Sequence, residues 1–548
     1  MKRINRILLI TTLLFLSNAP ITFATDNNIN IRVGISNNNF QKYLFDSIEF
    51  NNANSLNIID SSTGYRAPVN IDSNILKITS ENNLFKIYID NILVARNLSG
   101  PILIGTQKDN LIGIKDLIRK GKPALYRGLI ELKKSTKEYN KFAIVNVLSL
   151  KNYLRGVVPN EMPTRFGLEA LKSQTVAARN YAISPRLKAY EEFDLCDSVA
   201  CQVYFGANTE EELSDQAIEE TNGIIALSNE DKPILALYSS TAGGHTESYE
   251  YAFSDPQTKE FPSNSVHFLT GVPDKPEFID LSIEENAEKF YTSSPEAFDD
   301  LSPYYRWSRD WTKTELEQVL ASNLVKQSKT GFVKPELNSE YDFGKLISIK
   351  PLLRGKSGKI AKLQIQTTKN TFIVEKELVI RRSFTKDGKA LPSANFVISY
   401  IDALTPVFKF SGGGYGHGVG LSQWGTGKMG SLNYTFDEIL QHYYQGTKLA
   451  TIPVKISQYN PTEDINFYSP NKNNSVIIKS DVKIDKLIIC INGEEIETEI
   501  KEEITKVDIS KHVDEGENTI YYCIEEYNDK ENPSIEAFVI VKEAINEE

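Results

Sequence analysis

Cysteine is scarce in this sequence, with only four among its 548 residues. Small exported folds that rely on disulfides carry far more cysteine per residue, so a disulfide-dense scaffold is excluded. The four cysteines form two separate pairs along the chain, Cys196 with Cys201 and Cys490 with Cys523. The state of the cysteines therefore has to be considered separately for each pair.

Positive charge is also in short supply. The chain has 61 Lys and Arg residues against 72 Asp and Glu residues, a formal net charge of -11. Nucleic acid is not an expected partner, because its binding favours basic surfaces that neutralise phosphates. The same deficit argues against electrostatic binding to anionic membranes.

Long hydrophobic runs are missing after the first residues. The start combines Lys2, Arg3 and Arg6 with an apolar stretch at residues 7–16. That stretch is shorter than the roughly 20 apolar residues that span a bilayer, and it predicts a signal peptide at residues 1–24. An uncleaved N-terminal anchor is the alternative. In both cases the rest of the chain lies outside the cytoplasm, either secreted or anchored at the cell envelope.

What remains is an ordinary globular composition, 41% hydrophobic, in a chain long enough for about three or four domains. Alternating apolar and polar residues predict a β-rich N-terminal region, and a mixed α/β core follows. The predicted class is α+β. The expected segments are a β-rich part at 25–145, a first core part at 146–254, an inserted region at 255–400, a second core part at 401–451 and an immunoglobulin-like β-sandwich at 452–548.

Local signals predict individual elements within these segments. A Thr-x-x-Glu capping box marks one helix start, and Asn492-Gly493 marks a turn in the tail. The expected elements are a buried strand at 142–148, helices from Pro163 to Pro185, at 210–220, at 312–324 and at 435–442, a hairpin at 360–380 and a glycine-rich loop at 412–430.

The first segment that suggests chemistry is a carboxylate among apolar neighbours. Glu161 lies close to Val157, Val158, Met162 and Phe166, just before the predicted helix. Burial by such neighbours raises the pKa of a carboxyl group, as a general acid requires, whereas the dipole at a helix N-terminus lowers it. The sequence leaves both directions open, and the plainer alternative is that Glu161 only caps the helix.

The second segment, residues 236–248, is a run of hydroxyl side chains followed by two glycines and a histidine. Tyr238, Ser239, Ser240 and His245 could offer donors and acceptors to a sugar, although an ordinary turn has the same composition. The order of residues is not a nucleophile elbow, so serine-hydrolase chemistry is not supported.

The third segment, residues 411–425, is dense in glycine and contains His417 and Gln423. It lacks the strand and helix context of a dinucleotide-binding fingerprint. Such glycine density lets the backbone approach a ligand or another strand closely, so a binding loop and a packing loop are both open.

Together these segments resemble the stage II sporulation protein D / LytB family over roughly residues 31–449. The tail after residue 452 lies outside the resemblance and is an additional β domain. The motifs that carry the resemblance are Glu161-Met162-Pro163, Ser173-Gln174-Thr175-Val176-Ala177-Ala178-Arg179, Cys201-Gln202-Val203-Tyr204 and Gly416-His417-Gly418-Val419-Gly420.

The resemblance implies a lytic transglycosylase that cleaves peptidoglycan glycan strands already stripped of stem peptides. It implies Glu161 as the catalytic acid and base, assisted by Arg179. Arg179 lies eighteen residues further on, close to the same face if one helix carries both, and it is a candidate to bind the lactyl carboxylate of the glycan. Tyr238, Ser239, Ser240, His245, His417 and Gln423 are the expected substrate-binding residues.

The cysteines are where the resemblance weakens. Some relatives bind zinc through two cysteines and a nearby upstream histidine, but residues 184–194 contain no histidine. Zinc at Cys196 and Cys201, with His245 as a distant third ligand, a local disulfide and unpaired thiols are all open, and no cofactor is certain. Cys490 and Cys523 form a second disulfide candidate, with two buried thiols as the alternative.

Two other functions are compatible with the same sequence. LytB-type relatives are described as enhancers of a cell-wall amidase, which would make an amidase the partner and the protein non-catalytic. The core could also be a scaffold in a protein that binds the wall, a role to which the additional β domain is suited.

Overall fold

The computed structural model describes residues 29–541 except 38–39, 70–72, 107–109, 185–189, 231, 275–278, 338–340, 452–453, 457–465, 470–473, 481–482, 502–503, 515 and 528–534. The described chain forms two compact units, the larger one at Asn30–Leu449 and the smaller one beginning at Ala450. The predicted signal peptide, residues 1–24, lies outside the described residues. Among the described residues, no helix is long and apolar enough to cross a membrane.

The N-terminal region is β-rich, as its alternation predicts. Strand Ile75–Glu81 shows the pattern well, because every second side chain is buried. The strands are β1 Asn30–Ile35, β2 Leu44–Phe45, β3 Ser47–Asn51, β4 Leu56–Asp60, β5 Ile75–Glu81, β6 Leu84–Ile89, β7 Ile92–Leu98, β8 Ile102–Thr106, β9 Ile112–Arg119, β10 Lys122–Tyr126, β11 Leu129–Lys134, β12 Phe142–Ser149 and β13 Leu195–Cys196. One sheet has the order β13-β1-β12-β11-β8-β4 with β2 beside β12, and the other has the order β10-β9-β3-β5-β6-β7.

The helices follow the buried strand β12. In the described residues they are α1 Leu150–Glu161, α2 Leu168–Ile183, α3 Glu212–Glu220, α4 Glu284–Tyr291, α5 Lys313–Ser328, α6 Glu377–Ser383, α7 Gln423–Ser431 and α8 Phe436–Tyr443. The combination of helices with many sheets confirms the α+β class. Helix α5 begins with the predicted capping box of Thr312 and Glu315, and α8 has an equivalent box at Thr435 and Glu438.

Two predicted boundaries are wrong in an informative way. The expected helix from Pro163 begins later, as α2 at Leu168 after a short 3-10 turn at Thr164–Phe166, and a separate helix, α1, precedes it and ends at Glu161. The second half of the expected glycine-rich loop is helix α7, which Ser422 caps by accepting a hydrogen bond from the Gly425 amide.

The inserted region has a hydrophobic core of its own. Its helices α5 and α6 pack with strands of two sheets, and the core residues run from Trp307 to Phe410. The remaining strands of the larger unit are β14 Ile224–Leu227, β15 Tyr238–Ser239, β16 Trp307–Thr312, β17 Val333–Lys334, β18 Leu346–Arg354, β19 Ile360–Thr367, β20 Thr371–Glu375, β21 Thr385–Lys386, β22 Lys389–Ala390, β23 Phe396–Ile401, β24 Val407–Gly412, β25 Leu421–Ser422 and β26 Lys448–Thr451. The predicted hairpin is β19–β20, and its expected continuation to residue 380 is helix α6. Strand β24 pairs with β16 and β23, so the inserted core reaches beyond residue 400.

The smaller unit is entirely β in its described part. Its strands are β27 Val454–Ile456, β28 Asn466–Ser469, β29 Asn474–Ser480, β30 Ile484–Ile491, β31 Glu494–Ile500, β32 Ile504–Asp508, β33 Gly516–Tyr527 and β34 Ile535–Val541. They form two four-stranded sheets, β27-β34-β29-β32 and β28-β33-β30-β31, whose residues share one core. Asn492 and Gly493 form the predicted turn between β30 and β31. The immunoglobulin-like character of this unit stays a prediction.

Candidate active site

The second and third sequence segments meet as neighbouring strands. β15 and β25 are parallel, with Tyr238 opposite Leu421 and Ser239 opposite Ser422. A side chain at Gly420 would place its Cβ 2.0 Å from the Leu237 carbonyl oxygen, and Gly420 has a φ of +73°, so only glycine fits there. The glycine-rich segment therefore packs against the hydroxyl-rich segment, and this contact positions Gln423 at the start of α7.

Glu161 is the last residue of helix α1. Pro159 lies inside the last turn, and the Asn160 side chain donates to the Gly156 carbonyl oxygen over 2.8 Å. The helix end is thus satisfied by a side chain, as open helix ends require. The prediction that Glu161 precedes a helix, and so lies at a positive dipole end, is corrected: its carboxyl group is at the negative end of α1.

Burial raises the pKa of Glu161 to about 7. Two donors act in the opposite direction, the Val203 amide at 2.6 Å from Oε1 and the side chain of Gln423. The negative end of the α1 dipole also disfavours the carboxylate, so it acts with burial. Glu161 is half-buried as a residue, and its carboxyl group is partly protonated at neutral pH.

A chain of hydrogen bonds leads from the core to the surroundings of Glu161. The Tyr153 hydroxyl donates to Gln202 Oε1 over 3.0 Å, and Gln202 Nε2 donates to the Tyr238 hydroxyl oxygen over 2.9 Å. Tyr238 is close enough to Glu161 for that carboxylate to contribute to the raised pKa of the phenol, after burial. Because Tyr238 accepts from Gln202, its own proton is available for Glu161 or for a ligand.

The motif Cys201-Gln202-Val203-Tyr204, here called the CQVY segment, thus contributes two residues that were not predicted as site residues. Gln202 orients Tyr238, and Val203 binds Glu161 through its backbone. The signal was present in the sequence, since Gln202 and Val203 belong to one of the motifs that carry the family resemblance. A backbone donor has no side-chain signature, so the role of Val203 could not be inferred from residue type.

Two of the predicted binding residues, Gln423 and His417, lie near this centre. Gln423 donates towards Glu161 and also contacts the Gln174 side chain at 3.3 Å. His417 Nδ1 accepts a hydrogen bond from the Val419 amide over 3.0 Å, and burial lowers its pKa to about 4. The imidazole of His417 is therefore neutral at neutral pH. It lies near Tyr238 and can take part in hydrogen bonds without carrying a charge.

The hydroxyl segment divides into exposed and buried members. Tyr238 and Ser240 are half-buried, whereas Ser239 packs against Gly416 and is only 8% exposed. His245 is 3% exposed, and its Nδ1 lies 2.6 Å from the Thr246 carbonyl oxygen. The predicted sugar contacts of Ser239 and His245 are therefore corrected, because both side chains lie beneath the surface.

Arg179 is not at the surface either. It is fully buried on α2 and donates to the Ile224 carbonyl oxygen over 3.0 Å. The prediction assumed that one helix carries Glu161 and Arg179, but the break at Gly167, where φ is +90°, places them on different helices. Arg179 ties α2 to the first residue of β14, and the predicted contact with a lactyl carboxylate is corrected.

Cys196 and Cys201 do come together. Their sulfur atoms lie 2.7 Å apart, and the pKa of Cys196 is lowered to about 6, chiefly by its contact with Cys201. Among the described residues, however, no group of three or more His, Cys, Asp and Glu side chains could hold a metal ion. Two sulfur ligands do not fit zinc, which takes three or four protein ligands, and His245 is not added to the pair.

Cys490 and Cys523 lie on the neighbouring strands β30 and β33 but not opposite each other. Cys490 is opposite Tyr521, and Cys523 is opposite Ile488. This register makes the cysteines diagonal neighbours, with a typical Cα separation of about 7–8 Å, beyond the roughly 4.4–6.8 Å of disulfides. The register therefore favours two thiols over the predicted bridge.

Two exposed aromatic rings lie at the glycine-rich segment, to which Tyr415 belongs. Tyr304 and Tyr415 are 37% and 43% exposed, and their ring centroids are 4.3 Å apart. The backbone of Tyr415 pairs with that of Thr241, and Thr241 lies three residues after Tyr238. Apolar sugar faces stack on rings of this kind, so this pair offers a stacking surface at the glycine-rich segment.

Comparison with known proteins supports the family suggested by the motifs. Residues 138–227 match the stage II sporulation protein (SpoIID) domain, and residues 252–420 match a domain of unknown function (DUF8618). The first match contains α1, α2 and the CQVY segment. The second match covers most of the inserted region together with the glycine-rich segment as far as residue 420.

The relatives have moderate identity. An amidase enhancer of Bacillus subtilis is 28% identical over 54% of this chain, and the match covers 40% of the relative. An uncharacterized protein of Brachyspira hyodysenteriae is 29% identical over 56% of this chain and 68% of the relative. The stage II sporulation protein D of Bacillus subtilis is 26% identical over 58% of this chain and 78% of the relative. The chain therefore carries a domain of the stage II sporulation protein D family, which confirms the resemblance inferred from its motifs.

Proposed function

We propose that this protein is an exported lytic transglycosylase that cleaves the glycan strands of peptidoglycan, with Glu161 as its acid and base. The observation that supports this most is the pKa of Glu161, raised to about 7 by burial although the residue keeps some exposure to solvent. A carboxyl group with this pKa is half protonated at neutral pH, so it can both give and accept a proton.

The chemistry needs one carboxyl group. Glu161 donates its proton to the glycosidic oxygen as the bond from the muramyl C1 to that oxygen breaks. The resulting carboxylate then accepts the proton of the muramyl C6 hydroxyl while its oxygen bonds to C1, which closes a 1,6-anhydro ring. No water enters, so a second carboxylate for activating water is unnecessary.

The surroundings of Glu161 are consistent with a single carboxyl group that acts as both acid and base. No carboxylate from the described part of the chain contributes to the pKa shift of Glu161, which is due to burial and to two hydrogen-bond donors. Those donors, the Val203 amide and the Gln423 side chain, stabilise the carboxylate formed after the first proton transfer. Tyr238 offers a proton donor beside them, suited to the hydroxyl groups of a sugar.

The test is product analysis by mass spectrometry. Peptide-free glycan incubated with the purified protein should yield products with anhydromuramyl ends, and Glu161→Gln should yield none above background. Reducing ends in place of anhydro ends would indicate hydrolysis. Unchanged glycan would refute an enzymatic function on this substrate.

The amidase enhancer among the relatives supports a second candidate, a non-catalytic partner of a cell-wall amidase. In that case amidase activity on intact wall would rise in the presence of this protein, and it would rise equally with Glu161→Gln. Both candidates, like a simple wall-binding role, place the protein at the cell envelope, where the names of the relatives also point. Measuring amidase activity with both forms separates the candidates.

A further inference from the structure

Arg165 is an exposed cation held on two aromatic side chains. Its guanidinium carbon lies 5.3 Å from the ring centroid of Phe166 and 5.8 Å from that of Trp424. The two rings pack edge to face with centroids 5.0 Å apart, and both are half-buried. The guanidinium is therefore supported from below by a fixed platform while its donors face outwards.

The carboxylates around this platform are committed to other groups. Glu211 accepts a hydrogen bond from the Thr164 hydroxyl over 2.7 Å, and Glu169 binds Lys172 and the Phe436 amide. Among the described residues, Arg165 makes no ion pair with a carboxylate. Because no carboxylate of the described chain pairs with it, the exposed guanidinium of Arg165 can bind an external anion.

The platform is next to the proposed reaction centre. Trp424 directly follows Gln423, whose side chain donates to Glu161, and the Trp424 amide donates to the Ser240 carbonyl oxygen over 3.1 Å. Arg165 itself is four residues after Glu161. Trp424 therefore connects the donor of Glu161, through Gln423, to the guanidinium of Arg165, so a glycan that covers both would present a substituent to Arg165.

We infer that Arg165, supported by Trp424 and Phe166, is the specificity residue that binds the lactyl carboxylate of a peptide-free muramyl residue. This inference rests on the proposed function. The lactyl group is an anion only when no stem peptide is attached, because the peptide converts its carboxylate into a neutral amide. A bidentate guanidinium contact then distinguishes the two forms, and it assigns to Arg165 the role that buried Arg179 cannot have.

The experiment compares three glycans with two forms of the protein. The glycans are peptide-free strands, the same strands with the lactyl carboxylate converted to a methylamide, and peptide-bearing strands. For the wild type, the methylamide should raise KM by about tenfold or more, the loss expected for one charge-assisted contact. Arg165→Gln should show the raised KM on peptide-free strands and no further rise on the methylamide, with kcat within about twofold of the wild type.

Controls separate this role from a structural one. Arg96→Gln changes an exposed arginine on β7 and should leave all three KM values unchanged. Arg165→Lys keeps the charge without the planar fork and should fall between the wild type and Arg165→Gln. An Arg165→Gln form that still loses as much as the wild type on the methylamide would overturn the inference. Arg165-dependent preference for peptide-bearing strands would overturn it too, because the carboxylate would then belong to the stem peptide.

Binding measurements keep the inference testable if cleavage fails. Labelled peptide-free strands and their methylamide can be titrated into Glu161→Gln, with and without Arg165→Gln, and followed by fluorescence anisotropy. A carboxylate preference that Arg165→Gln removes would support the inference even if the wild type cleaves nothing. Equal affinities for both glycans would refute it, whatever the activity of the wild type.

Discussion

The pKa of Glu161 can be changed in a defined direction through Gln423. This side chain donates to the Glu161 carboxylate and so lowers a pKa that burial raises to about 7. Gln423→Leu removes the donor at similar volume. The carboxylate loses a stabilising partner, so the pKa of Glu161 should rise further.

The size of the change follows from the strength of the contact. A hydrogen bond to a charged group is worth about 1.5–3 kcal/mol when buried, and the lower end applies because Glu161 is half-buried. One pKa unit corresponds to about 1.4 kcal/mol, so the pKa should move from about 7 to about 8. A general acid must be protonated, so the variant should remain active to a higher pH.

The assay is kcat/KM on peptide-free glycan between pH 5 and pH 9. The wild type should lose activity above about pH 7, and Gln423→Leu should lose it about one unit later. Gln216→Leu is the matched control, because Gln216 contacts Glu220 on exposed α3 and should leave the profile unchanged. Carbon NMR of the Glu161 carboxyl group gives the same pKa without turnover.

Two results would refute the reasoning. A wild-type profile that falls near pH 4.5, the ordinary value for glutamate, would mean that burial does not control Glu161. A Gln423→Leu profile equal to that of the wild type, with Glu161 titrating near 7 in both, would mean that Gln423 does not bind the carboxylate.

Three further predictions concern catalysis, stability and the tail. Glu161→Gln should keep the fold by circular dichroism and lose activity by about 10²–10⁴, whereas an unchanged rate would exclude Glu161 as the catalyst. Burial and the neighbouring Asp274 raise the pKa of Asp299 from an ordinary 3.8 to about 7. The contribution of this carboxyl group to the free energy of unfolding is therefore fully present below about pH 4. It is lost as the pH rises to about 7, and the loss is at most about 4 kcal/mol. Asp299→Asn keeps a side-chain oxygen that can accept a hydrogen bond from the Gly243 amide. In urea titrations this variant should show a smaller loss of stability between pH 5 and pH 8 than the wild type, and an unchanged pH dependence would contradict the assignment. A chain that ends at Thr451 should still cleave soluble glycan, and a folded but inactive product would show that the tail takes part.

Elements with local causes could be predicted from the sequence. The helix start at Thr312 needs only Glu315 three residues later, and the turn at Asn492-Gly493 needs only two residues that tolerate positive φ. The break between α1 and α2 has local causes as well, because Met162 is extended in front of Pro163 and Gly167 adopts a φ of +90°. That conformation cannot be recognised from a glycine alone, since glycine also occurs within helices.

The error in the predicted site follows from that missed break. Counting helical turns from Glu161 put Arg179 on the same face, which holds only within one helix. α1 ends at Glu161, and beyond this break Arg165 is exposed whereas Arg179, on α2, is buried. The prediction for Glu161 rests on its position in a motif, which does not depend on where the helix ends.

The glycine-rich segment shows why residue type alone could not locate the rest of the site. A Cβ at Gly243 would lie 2.7 Å from the Gly413 carbonyl carbon, so two segments about 170 residues apart need glycine to come this close. The requirement belongs to backbone packing, and the residues that interact with Glu161 stand at its ends, Tyr238 on one strand and Gln423 after the other. Parallel pairing brings both side chains to Glu161, which neither segment indicates alone. A long-range contact therefore decides which polar residues surround Glu161, whereas His245, in the same segment as Tyr238, is buried against the Thr246 backbone.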